Sequence, residues 1–347
     1  MSKNPTLHDV ARLAGVSYAT ADRVLNRRGN VAEKSIRKIE GAVAQLGYVR
    51  NVAAANLSRN RTYRFCFIMP RSNNRFFEKM HDQLDKAQAH LKPACVATEV
   101  IEIDAFDLTS LKQAIQSITD IPYDGVAIVG LHNDALKEPL QTLREKNIHV
   151  ISLVSDLPED CRDFYIGINN QKAGRSAARL VGLAHGGSKG QIVVLAGSMD
   201  ALDHYDRLHG FQNVLNQDFK NISVAKVIET SDDPFKARSL LTDFLNQHPD
   251  ITGVYNVGAG NEGVIDALRT FKRSNLFISC THELDHVTQN ALKEGVIDVT
   301  IDQNPAIELN RALSLLQALA NDLPPPPVPE LVPAIHVRDN LPDQSAH

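Results

Sequence analysis

Hydrophobic positions follow two different periods along the chain. Before about residue 50, apolar residues recur at helical spacing in short segments. From Phe65 onward, short apolar runs alternate with longer amphipathic segments. This alternation predicts βαβ units, with mostly parallel sheets that are covered by helices. The predicted helices of this part are 75–91, 108–118, 134–146, 171–185, 205–217, 234–247, 260–271, 285–293 and 305–320.

The length of the chain predicts more than one domain. Of its 347 residues 43% are hydrophobic, which is enough to fill real cores. The strand and helix series occupies on the order of 270 residues, and one hydrophobic core rarely grows that large. The prediction is therefore an α/β fold: an N-terminal all-α head followed by two doubly wound parallel-sheet subdomains. Binding sites in such sheets lie beyond the carboxyl ends of the strands.

The head shows the signature of a helix-turn-helix. Thr6 can cap a first helix, with Asp9 three residues later in a capping-box position. Gly15 interrupts the helical pattern, and Ser17 can cap a second helix that runs to about Asn26. A third helix is predicted over 33–46. Two short helices joined through a glycine turn form the unit whose second helix enters the DNA major groove.

Charge is divided unevenly between the head and the rest of the chain. Residues 1–64 contain twelve Lys/Arg and four Asp/Glu, a net of +8, whereas the remainder contains 25 and 37, a net of −12. A basic head on an acidic body indicates a polyanionic partner for the head alone. The alternative is that a small surface domain is basic by chance.

The cysteines and the N-terminal residues bear on the cellular compartment. None of the four cysteines stands in a CxxC pair, which favours small buried hydrophobes over metal ligands or nucleophiles. The first residues contain no apolar signal core. We therefore expect a cytoplasmic, nucleoid-associated protein with no cofactor and no metal site.

Several phrases of the head occur together in a characteristic order. TLHDVARLAGVS is followed by Tyr18, Thr20, Arg23, Val24 and Asn26, then by KSIRKIEGAVAQLGYVRN and by the Ala-rich NVAAANL. In these features the chain resembles the LacI/GalR family of transcriptional repressors. The resemblance implies a DNA-binding headpiece over 1–50, a hinge helix and linker over 51–64, an effector-binding and dimerisation core over 65–340, and a tail over 341–347.

The resemblance implies which head residues contact DNA. It places Tyr18, Ala19 and Arg23 at positions that contact bases. Arg can donate two hydrogen bonds to guanine, Tyr can pack on base edges, and Ala can contact a thymine methyl group. Phosphate contacts position the protein without specifying sequence. The complete predicted DNA-binding set is Thr6, Ser17, Tyr18, Ala19, Thr20, Arg23, Asn26, Asn30, Arg50, Asn51, Ala54 and Leu57.

Residues 51–58 resemble the hinge helix of the family. Two such helices from a dimer would enter the minor groove together, with Leu57 as an apolar wedge between base pairs. Arg50 stands where many relatives have proline. A free eight-residue helix is marginal in water, so we expect the hinge to fold only on DNA, as a switch element. The alternative is an ordinary linker helix.

The body resembles the type I fold of periplasmic sugar-binding proteins, and the ribose-type proteins in particular, through the phrases NNRFFEKM, DHYDRLHGF, DDPFKA and TIDQNP. Aromatic faces pack on sugar C–H groups, and polar side chains bond hydroxyls. The chain departs from the ribose-type pattern directly after the HVISL and GVYNV strands. At these two places Asp156 and Asn261 are expected to replace the polar ligand contacts of the ribose-type proteins. The implied effector contacts are Asn74, Phe76, Phe77, Asp156, Arg207, Phe235, Asn261, His282, Glu283 and Gln303.

Two alternatives concern these effector contacts, and two more concern the whole protein. Phe76 and Phe77 are also compatible with the core of a helix, and His282 with a structural cap.

The family pattern divides the core into 65–163 plus 294–325 and 164–293 plus 326–340. The main hypothesis is a dimeric, sequence-specific repressor of a pseudo-palindromic operator, controlled allosterically by a small neutral sugar or polyol. The alternatives are a sugar-binding protein without a DNA role and a sugar-modifying enzyme, for which no catalytic pattern was found.

Overall fold

The computed structural model describes residues 5–25, 29–48, 61–71, 75–272, 277–327 and 329–342. The chain divides into two compact units, one of residues 1–62 with 93–95 and one of residues 63–92 with 96–347. In the described part of the chain, no helix combines the length and the apolar character that a membrane crossing requires.

The described helices and strands are numbered here in chain order. The helices are α1 Leu7–Ala14, α2 Tyr18–Leu25, α3 Glu33–Leu46, α4 Arg75–Leu91, α5 Leu108–Ser117, α6 Lys137–Glu145, α7 Asn170–His185, α8 Leu202–Asp218, α9 Pro234–Gln247, α10 Asn261–Thr270, α11 His286–Glu294 and α12 Pro305–Ala320. The strands are β1 Tyr63–Pro70, β2 Val96–Ile103, β3 Gly125–Ile128, β4 His149–Leu153, β5 Phe164–Ile166, β6 Gly190–Ala196, β7 Ile222–Glu229, β8 Gly253–Asn256, β9 Ile278–His282, β10 Val299–Asp302 and β11 Ala334–His336.

The first unit contains the predicted helix-turn-helix and third helix. The Asp9 N–H donates to Thr6 Oγ1 at 3.4 Å, and the Thr6 N–H donates back to Asp9 Oδ2 at 2.9 Å, which completes the capping box. Gly15 ends α1 in the left-handed conformation, with φ of 65°. Val10, Ala21 and Ile39, one from each helix, are fully buried together.

Two sheets form the larger unit, as the α/β pattern predicts. The first has the order β2-β1-β3-β4-β5, with every strand parallel to its neighbours. The second has the order β11-β10-β9-β8-β6-β7, in which only β11 is antiparallel. Parallel strands are covered on both faces, and this explains the continuous apolar run of β1, where Phe65, Phe67 and Ile68 are fully buried.

The structure corrects two boundaries of the predicted subdomains. The strand β5 was expected in the second subdomain, but it pairs with β4 in the first sheet. The strand β10 was expected in the first subdomain, but it pairs with β9 in the second sheet. The chain thus crosses between subdomains after Ile166 and again after Asp302, before α12 packs on the first sheet. The segment 134–146, expected as one helix, is a 3₁₀ turn over Asp134–Leu136 followed by α6.

Candidate functional site

The second helix of the head presents a mixed surface to solvent. Tyr18 is 47% exposed, and Ala19 and Arg23 are exposed as well. The Tyr18 ring packs on the ring of His8, with centroids 4.5 Å apart. His8 was missed by the sequence reasoning, although it lies on α1 within the first motif. These three α2 side chains are therefore accessible from solvent.

The other predicted DNA contacts have mixed positions. Ser17 Oγ accepts from the Thr20 N–H at 3.1 Å and lies 2.8 Å from Thr20 Oγ1, so this pair caps α2. Thr6 is exposed and engaged in its capping box. Asn30 is exposed in the left-handed conformation, with φ of 54°. Outside the described residues lie Asn26, Arg50, Asn51, Ala54 and Leu57.

The larger unit contains two adjoining cavities at the carboxyl ends of strands from both sheets. The inner cavity has a volume of about 60 Å³ and the outer one about 290 Å³. Both are lined by Phe76, Asp232, Ala259 and Glu283, so together they form one cleft. The strand ends of two doubly wound sheets face each other here, in the position that the fold class predicts for a ligand.

Arg207 is the centre of the hydrogen-bond network at the inner cavity. It is buried, and its Nε donates to Asn170 Oδ1 at 2.9 Å and its Nη1 to the Val257 carbonyl at 2.7 Å. Its Nη2 donates to Gln303 Oε1 at 3.1 Å, and Gln303 Nε2 donates to Glu283 Oε1 at 2.7 Å. The guanidinium is therefore held rigidly on three sides, with Glu283 connected to it through Gln303.

Carboxyl groups outnumber cations among the described residues that line the inner cavity. Burial favours the neutral form of Asp203, but His204 and Arg207 outweigh it and lower the pKa. Burial raises the pKa of Asp232, and burial together with Asp302 raises the pKa of Glu283 to about 8. Arg207 is the one Lys/Arg of this described lining. The cavity therefore favours a ligand that brings hydroxyl groups rather than negative charge.

Three aromatic side chains form the apolar wall of the inner cavity. Phe76 and Phe77 meet edge to face, with ring centroids 5.1 Å apart. Phe106 is the third, and it contacts the His204 ring, with centroids 5.7 Å apart. An apolar wall facing a few fixed polar groups is the usual composition of a small-molecule site.

The structure brings together only part of the predicted effector set. Phe76, Phe77, Arg207, Glu283 and Gln303 line the inner cavity. Asn261 lines the outer cavity, but its side chain is occupied by Asn256 and by the His282 carbonyl. Asn74 lies outside the described residues.

Three predicted effector residues have other surroundings. Arg162 donates two hydrogen bonds to the Asp156 carboxylate, at 2.6 and 2.7 Å. Asp156 is therefore engaged in an ion pair with Arg162. Phe235 is 83% exposed and is absent from the described lining of both cavities. His282 is fully buried, and its Nε2 lies 2.9 Å from the Tyr255 hydroxyl. The structure corrects these three assignments, because Asp156 is paired with Arg162, His282 is enclosed in the core, and Phe235 is exposed to solvent.

Sequence reasoning also missed residues of the inner cavity. Phe106, Asp203 and Asp232 line it, and none belonged to the predicted set. Phe106 and Asp232 each follow the end of a strand in the sequence, β2 and β7 respectively. The rule that ligands bind beyond strand ends is therefore the signal that would have found them.

Both the head and the core of the chain match known protein families. Residues 6–51 match the lacI family of bacterial regulatory proteins, and residues 65–323 match the periplasmic binding protein domain. The chain combines a head that matches the lacI family of bacterial regulatory proteins with a core that belongs to the periplasmic binding protein domain family. Its core is a periplasmic binding protein domain, and the match to that domain covers most of the chain.

Proteins that are similar in sequence to this chain are regulators by name. It is 26% identical over 216 residues to the HTH-type transcriptional repressor PurR of Vibrio atlanticus, which is 61% of each chain. It is 26% identical over 288 residues to the HTH-type transcriptional regulator CelR of Thermobifida fusca, which is 78% of each chain. The match to the PurR relative therefore spans about 61% of that protein's length.

Solved structures resemble the periplasmic binding protein core of this chain in fold. The glucose-galactose binding protein GanP of Geobacillus stearothermophilus gives a TM-score of 0.73 at 21% identity, over 81% of this chain and 99% of that chain. A solute binding protein of Burkholderia graminis, in complex with D-arabinose, gives 0.73 at 22% identity, over 80% and 96%. At such identities the likeness establishes the architecture.

Proposed function

We propose that the protein is a DNA-binding transcriptional repressor whose operator affinity depends on a small neutral sugar or polyol. The observation that carries the proposal is the union of a lacI-type head, with Tyr18, Ala19 and Arg23 exposed on α2, and a binding-protein core with a polar and aromatic cleft. The protein acts in the cytoplasm, on the nucleoid.

The charges of the head support the DNA partner. The net of +8 over residues 1–64 suits a phosphate backbone, while the acidic body repels it. Two heads in a homodimer would contact the two halves of a pseudo-palindromic operator. The hinge residues Asn51, Ala54 and Leu57 would enter the minor groove between them.

The cleft supports a neutral, hydroxyl-rich effector. Phe76, Phe77 and Phe106 offer faces for sugar C–H groups, while Arg207 and Asp203 offer fixed donors and acceptors. Effector binding between the subdomains would change the orientation of one subdomain relative to the other. The hinge would transmit this change to the head and so alter its affinity for DNA. Such coupling is reciprocal and typically about 1–3 kcal/mol.

Replacing Arg23 with alanine will weaken operator binding by about 10- to 100-fold, because one bidentate contact to guanine carries about 1–3 kcal/mol of discrimination. The measurement is selection of binding sequences from a random duplex pool by the full chain, followed by titration of the enriched DNA. The DNA selected by Arg23→Ala should show no base preference at one position of each half-site and an unchanged preference at the other positions.

The exposed Arg37 on α3 is the matched control, since it is also a head cation but pairs with Glu33 at 3.0 Å. Arg37→Ala should leave the selected sequence unchanged. Equal base preference in Arg23→Ala and the wild type would remove Arg23 from the base contacts. Binding that is insensitive to salt would favour the alternative of a solute-binding protein without a DNA role.

Neutral monosaccharides and polyols will raise the melting temperature of the full chain, whereas their phosphates will not. The reason is the carboxyl-rich lining, in which Asp203, Asp232 and Glu283 stand against the single guanidinium of Arg207. A ligand at about 100 times its Kd stabilises by about 2.7 kcal/mol, which a thermal-shift screen detects easily.

The same screen at higher pH provides an internal control. As pH rises through about 8, Glu283 loses its proton and the cavity becomes more negative. Any rise in melting temperature that anionic compounds cause should therefore become smaller at higher pH, while the rise that neutral compounds cause should change less. If phosphorylated sugars alone shift the melting temperature, the proposed effector class is wrong.

A further inference from the structure

A buried carboxyl group without a hydrogen-bond partner follows Gln303, a residue of the inner cavity, by five positions in the sequence. Glu308 belongs to the first turn of α12 and is 0% exposed. Neither carboxyl oxygen has a hydrogen-bond partner in the described part of the protein. Because an unpaired buried polar group costs free energy, such a residue requires an explanation.

The position of Glu308 connects it to the effector cleft. Gln303 and Asn304 form the crossing from the second subdomain to α12, where Asn304 has a φ of 59° and its Oδ1 accepts from the Ile307 N–H at 3.3 Å. Glu308 follows within the first turn. Gln303 is the residue that joins Arg207 to Glu283. The unpaired carboxyl thus lies in the first turn of the helix that directly follows the crossing, five residues after the central amide of the site, Gln303.

Charged groups on α8, on β10 and directly after β9 act on Glu308. From α8 come Arg207 and Asp203, from the end of β9 comes Glu283, and from β10 comes Asp302. Tyr165 of β5 is affected in turn by the Glu308 charge. Burial first, and then the three carboxyl groups, raise the pKa of Glu308 well above its ordinary value, against the opposing effect of Arg207.

We propose that Glu308 is a proton-carrying positioning residue for the candidate effector site. While Glu308 is a neutral acid, the Arg207 guanidinium keeps its hydrogen bond to Gln303, and Gln303 keeps its hydrogen bond to Glu283. When Glu308 ionises, its charge attracts Arg207 and disturbs that chain at the crossing between subdomains. The inference rests on the proposed function, because it assigns regulation by protons to the same site.

The sign of the stability effect follows from this assignment. A carboxyl group whose pKa is higher in the folded state binds its proton more tightly there than in the unfolded chain. Its stabilising contribution is fully present below the unfolded pKa and is lost as pH rises through the folded pKa. Glutamine keeps the shape of the neutral acid without titrating. Glu308→Gln should therefore lose this part of the pH dependence.

The test compares the full chain with three variants, without any sugar. They are Glu308→Gln, Glu308→Leu and Glu138→Gln, the last being the matched control, because Glu138 is also in the first turn of its helix but is exposed. Melting temperatures are measured from about pH 5 to about pH 9. Hydrogen exchange of peptides from 299–310 is followed in parallel and corrected for the intrinsic effect of pH.

The expected result is a melting temperature for Glu308→Gln that exceeds the wild type by about 2–4 °C at the alkaline end and converges with it at the acidic end. Exchange at 299–310 should rise with pH in the wild type and in Glu138→Gln, but not in Glu308→Gln. Parallel melting curves for Glu308→Gln and the wild type would overturn the proposal. So would a pH-dependent rise of exchange at 299–310 that persists in Glu308→Leu. Since no effector is added, failure of the sugar screen leaves this result intact.

Discussion

Replacement of Arg207 by methionine is expected to abolish the thermal response to any sugar that stabilises the wild type. Its guanidinium donates three directed hydrogen bonds, to Asn170, Val257 and Gln303, and methionine has no donor with which to replace them. Asp203 then keeps His204 but loses Arg207, the second group that lowers its pKa. The buried acceptors on Asn170, Val257 and Gln303 also lose their donor, and each unsatisfied buried group costs about 1–3 kcal/mol. The melting temperature without ligand should fall as well.

Arg179 provides the matched control for this substitution. It lies on the outer face of α7, pairs with Asp218 and stacks on Phe219 at 5.1 Å. Surface pairs of this kind contribute about 0–1 kcal/mol, so Arg179→Met should keep the sugar response and nearly all stability. Arg207→Lys tests the role of geometry, because lysine keeps the charge without the planar fork. A normal sugar response in Arg207→Met would place the effector site elsewhere.

The sequence predicted those site residues whose neighbours in the chain already determine their position. Arg207 and Gln303 were found because they lie in phrases that resemble the ribose-type pattern, and Gln303 in addition directly follows the end of β10. Phe76 and Phe77 were found in the same way. In each case local structure alone brings the side chain to the cleft, so no knowledge of distant contacts was needed.

The residues that were misplaced depend on contacts between distant parts of the chain. Asp156 follows β4, as expected, but Arg162 captures its carboxylate. His282 ends β9, yet Tyr255 and the core enclose it. For Phe235, the first turn of α9 faces solvent, and no sequence pattern separates an exposed helix start from one that lines a cleft. Side-chain partners of this kind are decided by tertiary packing.

The strand order shows the same limit at the level of the fold. Apolar runs predicted that β5 and β10 exist, but a strand's period does not specify its sheet. The subdomain boundaries taken from the family pattern therefore missed the crossings at Ile166 and Gln303. These crossings matter for function, because Gln303 and Glu308 occupy one of them.

The helix that carries Arg207 is itself held by two glycines at its crossing with α7. A Cβ atom at Gly174 would lie 1.9 Å from the Arg207 carbonyl oxygen, and one at Gly210 would lie 2.2 Å from the Gln171 carbonyl oxygen. Both obstacles are backbone atoms of packed helices, which cannot turn away as a flexible side chain can. Adding one methyl group therefore forces α7 and α8 apart beneath the effector site.

Gly174→Ala should accordingly lower the free energy of unfolding of the core by about 3 kcal/mol, at the upper end of the range for overpacking. The gain in helix propensity of about 1 kcal/mol offsets only part of the strain. Chemical denaturation of the full chain measures the loss, and the sugar response should weaken because Arg207 is displaced. Gly41→Ala in α3 is the control with the opposite sign, since its Cβ would meet nothing within 4 Å. If Gly174→Ala proves as stable as the wild type, α7 and α8 do not pack as closely as described.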